Sequence, residues 1–156
     1  MPVICLALQA AIIAGPGPLG DAEALRRVLF PASYVGLLAF VWLNRWSLAI
    51  LVIGVGLALN LLVIAANGGL MPVSPETLVR AGLLERAASV SLGDPLPRSK
   101  DVVLTREDTR LWPLSDVFAV DNPLGVRAFS PGDLVIAFGL LVGVGEGLLL
   151  LARRRR

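Results

Sequence analysis

From Ser47 to Ala66 the chain runs for twenty residues with one strongly polar side chain, Asn60. A helix of that length rises about 30 Å, the thickness of a bilayer's hydrocarbon core. Apolar on every face, it needs a hydrophobic surrounding on every side. Two further runs, Leu25–Leu43 and Asp133–Ala152, have comparable length. The charged fraction is 17% against 56% hydrophobic residues, where a water-soluble domain carries roughly a quarter charged. Lipid is the solvent that accounts for these runs.

The flanks of each run fix its ends. Arg26 and Arg27 stand at the start of the second run, and Trp42 and Trp46 flank its exit, as interfacial anchors do. Pro31 falls in the first turns, where it kinks a helix without ending it. The turn Asn44-Arg45 is short enough to force antiparallel neighbours. Asn67-Gly68-Gly69 closes the third run with glycines free to adopt the left-handed conformation. Ser130-Pro131-Gly132-Asp133 opens the last run with a cap, a proline and an acid facing the helix dipole. A fourth apolar run, over 3–14, ends at Gly15-Pro16-Gly17-Pro18. It spans about 18 Å as a helix and reads as a short or truncated span. It lacks the basic leader of a signal peptide.

Between the third and last runs the character changes. Gly68–Ser130 holds seven basic and eight acidic residues, broken by prolines. Ser74-Pro75 is a helix start, and the spacing of Leu78, Val79, Leu83 and Leu84 predicts an amphipathic helix over about 75–87 lying on the membrane or packing under the bundle. Asp101–Leu104 reads as a brief strand, and the remainder as loop. The expected fold is therefore an all-α membrane protein, a bundle of three to four transmembrane helices with a roughly 60-residue extramembrane loop over 67–132 carrying a short amphipathic helix. The terminal Arg153–Arg156 read as a cytoplasmic anchor beside anionic headgroups, which places the loop outside a bacterial cytoplasmic membrane. Arg26 and Arg27 then fall outside and count against that orientation.

Several chemistries are excluded by what is missing. There is no histidine and one cysteine, Cys5, so His-based haem and zinc sites, Ser-His-Asp triads, Cys-His dyads and an internal disulfide all lack a necessary residue. No cofactor, metal or nucleic-acid partner is expected. Gly139, Gly143 and Gly147 form a small-residue stripe at spacing four, for packing within the bundle or against a partner chain. Glu146 lies in the apolar part of the last run. It reads as a snorkelling or ion-paired acid near the arginines, a proton or cation site, or a contact to another chain. Gln9, Ser33, Tyr34 and Asn60 are polar groups on three runs at similar depth, suited to interhelical hydrogen bonds or to a small ligand pocket. Asp94, Asp116, Asp121 and Asp133 read as solvated loop acids and a helix cap, with a proton-sharing pair as the alternative.

Three stretches together resemble an uncharacterised bacterial membrane-protein family, domain of unknown function 5317. They are NLLVIAANGGLMPVS at Asn60–Ser74, LWPLSDVF at Leu111–Phe118 and SPGDLVIAFG at Ser130–Gly139. The resemblance implies a small multi-spanning protein with an additional helix ahead of Met1, and no established activity. By matching position it singles out Asn67, Gly68, Gly69, Met71, Pro72, Asp116 and Asp133. The leading functional expectation is a non-catalytic accessory or interaction subunit that contacts the bilayer and, through its last helix, another membrane protein or a second copy. The alternatives are a transporter or channel component using Glu146 and a membrane enzyme using the outer-face aspartates.

Overall fold

The structure is a computed structural model describing residues 2–14, 23–83, 85, 88, 90–96, 99–120 and 128–154. The Gly15–Pro18 break, Leu84, Arg86, Ala87, Asp121 and the last two arginines lie outside the described residues. Four apolar helices make the bundle: α1 (Pro2–Ala14), α2 (Glu23–Leu43), α3 (Leu48–Ala66) and α5 (Pro131–Arg154). Three of them, α2, α3 and α5, are long and apolar enough to cross a membrane. α1, at 13 residues, is shorter than a span.

The helices stand in a row, α1 on α2, α2 on α3 and α3 on α5. Small residues set each approach. Cys5 of α1 packs over Gly36 of α2, and Val41 of α2 over Gly54 of α3. At the α3–α5 seam the backbones themselves meet. A Cβ on Gly56 would come within 2.5 Å of the Gly132 carbonyl, and one on Gly139 within 2.9 Å of the Ile53 nitrogen. Such close approach accumulates dispersion contacts in lipid, where burial alone drives little association. The outward faces are bare: Phe138, Leu141, Val144 and Leu148 are all at least 60% exposed. In water that would be a large apolar patch, and in a bilayer it is the ordinary lipid-facing surface. At the end away from the cap, Arg45 stacks on Trp42 and Trp46, with its guanidinium 4.7 and 5.2 Å from the ring centroids.

The segment between α3 and α5 is not the extended loop with a surface helix that its composition predicts. It folds into a cap with its own core. Strand β1 (Met71–Val73) pairs in parallel with β2 (Asp101–Val103), and β3 (Phe118–Ala119) pairs antiparallel with β4 (Ala128–Phe129). The predicted 75–87 helix stops far earlier, as α4 (Pro75–Arg80). Ser74 caps its start through the Thr77 amide, and Gly82 at φ +71° turns the chain away just after Ala81. Leu78 does not face lipid headgroups. It is fully buried with Val73, Leu96 and Val103 in the cap core. Leu83 packs against the same core, while Val79, on the same predicted face, is 48% exposed, so the four residues do not form one apolar side.

The cap and bundle are joined at the end of α3. The Gly69 amide returns to the Ile64 carbonyl at 2.8 Å, and Gly68 and Gly69 take φ of +79° and +93°. A side chain on Gly69 would also overlap the Arg27 carbonyl on α2. Pro31, four residues beyond Arg27, has no N–H to offer that carbonyl. We expect Gly69→Ala to cost about 2 kcal/mol or more through the combined strain and overlap. Gly145→Ala, directed into open space on α5, should be neutral or stabilising by up to about 1 kcal/mol. Thermal unfolding of the two variants in one detergent checks the contrast.

Candidate functional site

The polar residues gather at the junction of bundle and cap. Asn67 acts there as a piece of backbone. Its side-chain amide donates to the Val63 and Arg110 carbonyls at 2.8 and 2.9 Å, and its oxygen accepts from the Arg110 amide at 2.9 Å. Gly68 presents its carbonyl to Arg27 at 3.1 Å. Met71 is fully buried in the bundle-side core beside Val63 and Ile64. The Pro72 carbonyl accepts from the Asp116 amide at 3.1 Å. The stretch from Asn67 to Pro72 is thus a built connector that grips α2, the 110 turn and the Asp116 strand at once.

Asp116 is fully buried and meets Lys100 Nζ at 2.5 Å, while Asp101 lies 3.4 Å from the same ammonium. The sequence reading missed both Lys100 and Asp101. One signal was available: Lys100 is the only lysine in a chain whose other cations are all arginine. Lys100 loses hydration by burial, which works against its charge. The two carboxylates outweigh that loss and hold it protonated above the ordinary lysine range. Burial pushes the Asp116 carboxyl up to about 7, with Lys100 pulling the other way and Asp101 adding to the rise. Its Oδ1 has no hydrogen-bond partner among the described residues. A carboxyl raised on folding binds a proton that the unfolded chain releases. Its contribution to stability is therefore largest at acid pH and falls as pH climbs from 3.8 to about 7. Lys100, raised as well, keeps its contribution until pH passes the ordinary lysine value. Asp116→Asn should flatten the decline in melting temperature across the acid-to-neutral window, and an unchanged slope would exclude Asp116 as its source.

The polar groups within the helices pair by neighbourhood. Gln9 of α1 donates to Ser33 of α2 at 2.9 Å. Asn60 of α3 donates to Asp133 of α5 at 2.8 Å and accepts from Ser130 at 2.8 Å. Ser130 and Asp133 close a reciprocal cap on α5, amide to carboxylate at 3.0 Å and amide to hydroxyl at 3.1 Å. Tyr34 is buried edge-on to Phe30 and lies within electrostatic reach of Asn60, Asp133, Lys100 and Asp116. The structure therefore brings Tyr34, Asn60, Asp116 and Asp133 into one neighbourhood and leaves Asp94 out of it.

The glycine stripe lies differently from its spacing. The residues of α5 that face α3 are Gly132, Ile136, Gly139 and Gly143, and Gly147 meets open space. Their α3 partners are Asn60, Gly56, Ile53 and Ala49, in antiparallel order. Both sets step by three and four, the rhythm of a supercoiled seam. Continued one step beyond Gly143, that seam reaches Glu146. Its carboxylate accepts from the Ser47 hydroxyl at 2.8 Å and the Leu48 amide at 3.1 Å. Glu146 therefore sits on the N-terminus of α3, where exposed amides and the helix dipole favour an anion. Replacing it with alanine should cost about 1 kcal/mol, the usual loss for a helix cap, with Glu146→Gln intermediate. Equal melting temperatures for all three proteins would contradict the assignment.

No curated protein and no solved structure matches the chain. A family model described as a family of unknown function (DUF5317) matches residues 1–144, from α1 through the cap and most of α5. On that match the chain belongs to the DUF5317 family.

Proposed function

We propose that the protein is a polytopic membrane protein that acts by binding and not by bond chemistry, as an accessory or interaction subunit of a membrane complex. One observation carries the reading: the acids in or beside the spans that could have done chemistry are engaged inside the chain. Glu146 caps α3, and Asp133 caps α5 while holding Asn60. Asp116 pairs with Lys100 and has no accessible side-chain surface. The transporter reading drew on Glu146 and on the Asn67-Gly68-Gly69 break, and both now serve the fold. The enzyme reading needs an accessible aspartate with a carboxylate oxygen to spare: Asp116 is buried, and both Asp133 oxygens are bonded, one to Asn60 and one to the Ser130 amide.

What remains available for work is the outer face of α5. In its most apolar window 6% of residues are buried, against 39% for α3. Gly145 leaves this face without a side chain at one turn, where another helix could approach closely. The partner is then a second membrane protein or another copy of this chain. We place the cap on the outer side of a bacterial cytoplasmic membrane and Arg153 and Arg154 on the inner side. Arg26 and Arg27, which oppose that orientation by charge alone, are bonded to cap carbonyls at Ser99 and Gly68. They are therefore not free to anchor at lipid headgroups.

Extraction of the native membrane into polymer-bounded discs, without detergent, tests the reading. The protein is expected in a particle containing more than its own 16.5 kDa, and Gly145→Leu should reduce it to one chain while leaving its melting temperature unchanged. A single chain per disc for the unaltered protein would sink the proposal.

A further inference from the structure

α1 and α5 stand at opposite ends of the helix row, with no broad seam between them. The space they leave is a slot of about 450 Å³ that draws side chains from all four helices. Its walls include Leu6, Phe40, Ile53 and Leu140, and its polar groups are Gln9, Tyr34 and Asp133. Gln9 and Asp133 lie toward the cap, while Pro2 and Leu140, seven residues away on the same helices, mark the other end. Seven helical residues give the slot a length of about 10 Å.

We infer that this slot binds the hydrocarbon chain of a neutral amphiphile, with a hydroxyl-bearing head at Gln9 and Tyr34. Three observations select that occupant. The volume lies within the usual range of small-molecule sites. A helix roughly 10–12 Å across does not fit it, whereas one extended chain does. The polar residues are confined to part of the lining, as an amphiphile requires. Gln9 spends its amide on Ser33, leaving its carbonyl oxygen to accept from a hydroxyl. The charge is the deciding feature. Among the described residues no lysine or arginine lines the slot, and the nearby Lys100 is held by Asp101 and Asp116. An anionic head would find no free cation. Both Asp133 oxygens are already bonded, one to Asn60 and one to the Ser130 amide, so a cationic head gains little. The slot lies on the inner side of α5, away from Gly145 on the outer face, and its occupancy does not depend on the partner proposed above.

Native mass spectrometry of the full chain, titrated with monooleoylglycerol and separately with lysophosphatidic acid of the same acyl chain, tests the inference. One equivalent of monooleoylglycerol is expected to bind, with lysophosphatidic acid weaker by at least about tenfold. Leu140→Trp blocks the slot from a position that is 59% exposed and so has room for the larger ring; it should abolish binding. Gln9→Leu, which removes the head contact and leaves the chain contacts, should weaken monooleoylglycerol binding about fivefold. The inference is overturned if a folded Leu140→Trp binds like the unaltered protein, if Gln9→Leu binds monooleoylglycerol as tightly as the unaltered protein, or if the anionic lipid binds equally well.

Discussion

Backbone against backbone along α3 and α5 is the contact on which the other parts of the structure depend. Lipid tails are as apolar as leucine, so apolar burial alone cannot hold two spans together. What holds these two is proximity, and proximity requires residues without side chains at Gly56, Gly132 and Gly139. Hydrogen bonds then pin the two ends of the seam. Asn60 meets Asp133 and Ser130 near the cap, and Ser47 and the Leu48 amide meet Glu146 at the far end. Each such bond in a membrane contributes roughly 0.6 kcal/mol on average. Their larger effect is on register: sliding the helices by one turn would leave Asn60 and Glu146 buried in hydrocarbon without partners.

The cap depends on that register because its chain leaves from α3 and returns to α5. Asn67, the two glycines and Pro72 direct it across α2 to β1, and Ser130 delivers it back at the level of Asn60. Lys100 and Asp116 cross-link its middle, beneath the N-terminal end of α2. The residues that the family resemblance marked are thus consecutive parts of one connection.

Features set by neighbouring residues were legible in the sequence. The long apolar runs, the Ser74 and Ser130 caps, the glycine close after Ala66 and the strand at Asp101 all rest on local rules, and each appears near its expected position. Features set by distant partners were not. Glu146 meets a residue 99 positions away, and hydropathy registers only that it is a charge in an apolar run. The spacing of Gly139, Gly143 and Gly147 suggested a straight stripe. The true seam alternates steps of three and four, which drops Gly147 and takes in Glu146. The spacing after Ser74 suggested one amphipathic helix, whereas α4 ends at Arg80 with Leu78 in the cap core and Val79 exposed, because strands distant in sequence decide which side is covered. The charge cluster escaped because Lys100, Asp101 and Asp116 come together only through the β1–β2 pairing, for which three-residue strands leave almost no trace.

The pairing of Asn60 with Asp133 has a consequence for biogenesis. The two residues are separated by 73 positions, and ribosomes add about 5–20 residues per second. During synthesis, then, α3 waits about 4–15 s in the translocation machinery or the bilayer with its amide unsatisfied by the final partner. Throughout that interval the cap is emerging, and its return strand carries Ser130 toward the membrane. Insertion of the last span and completion of the cap are therefore one event in time.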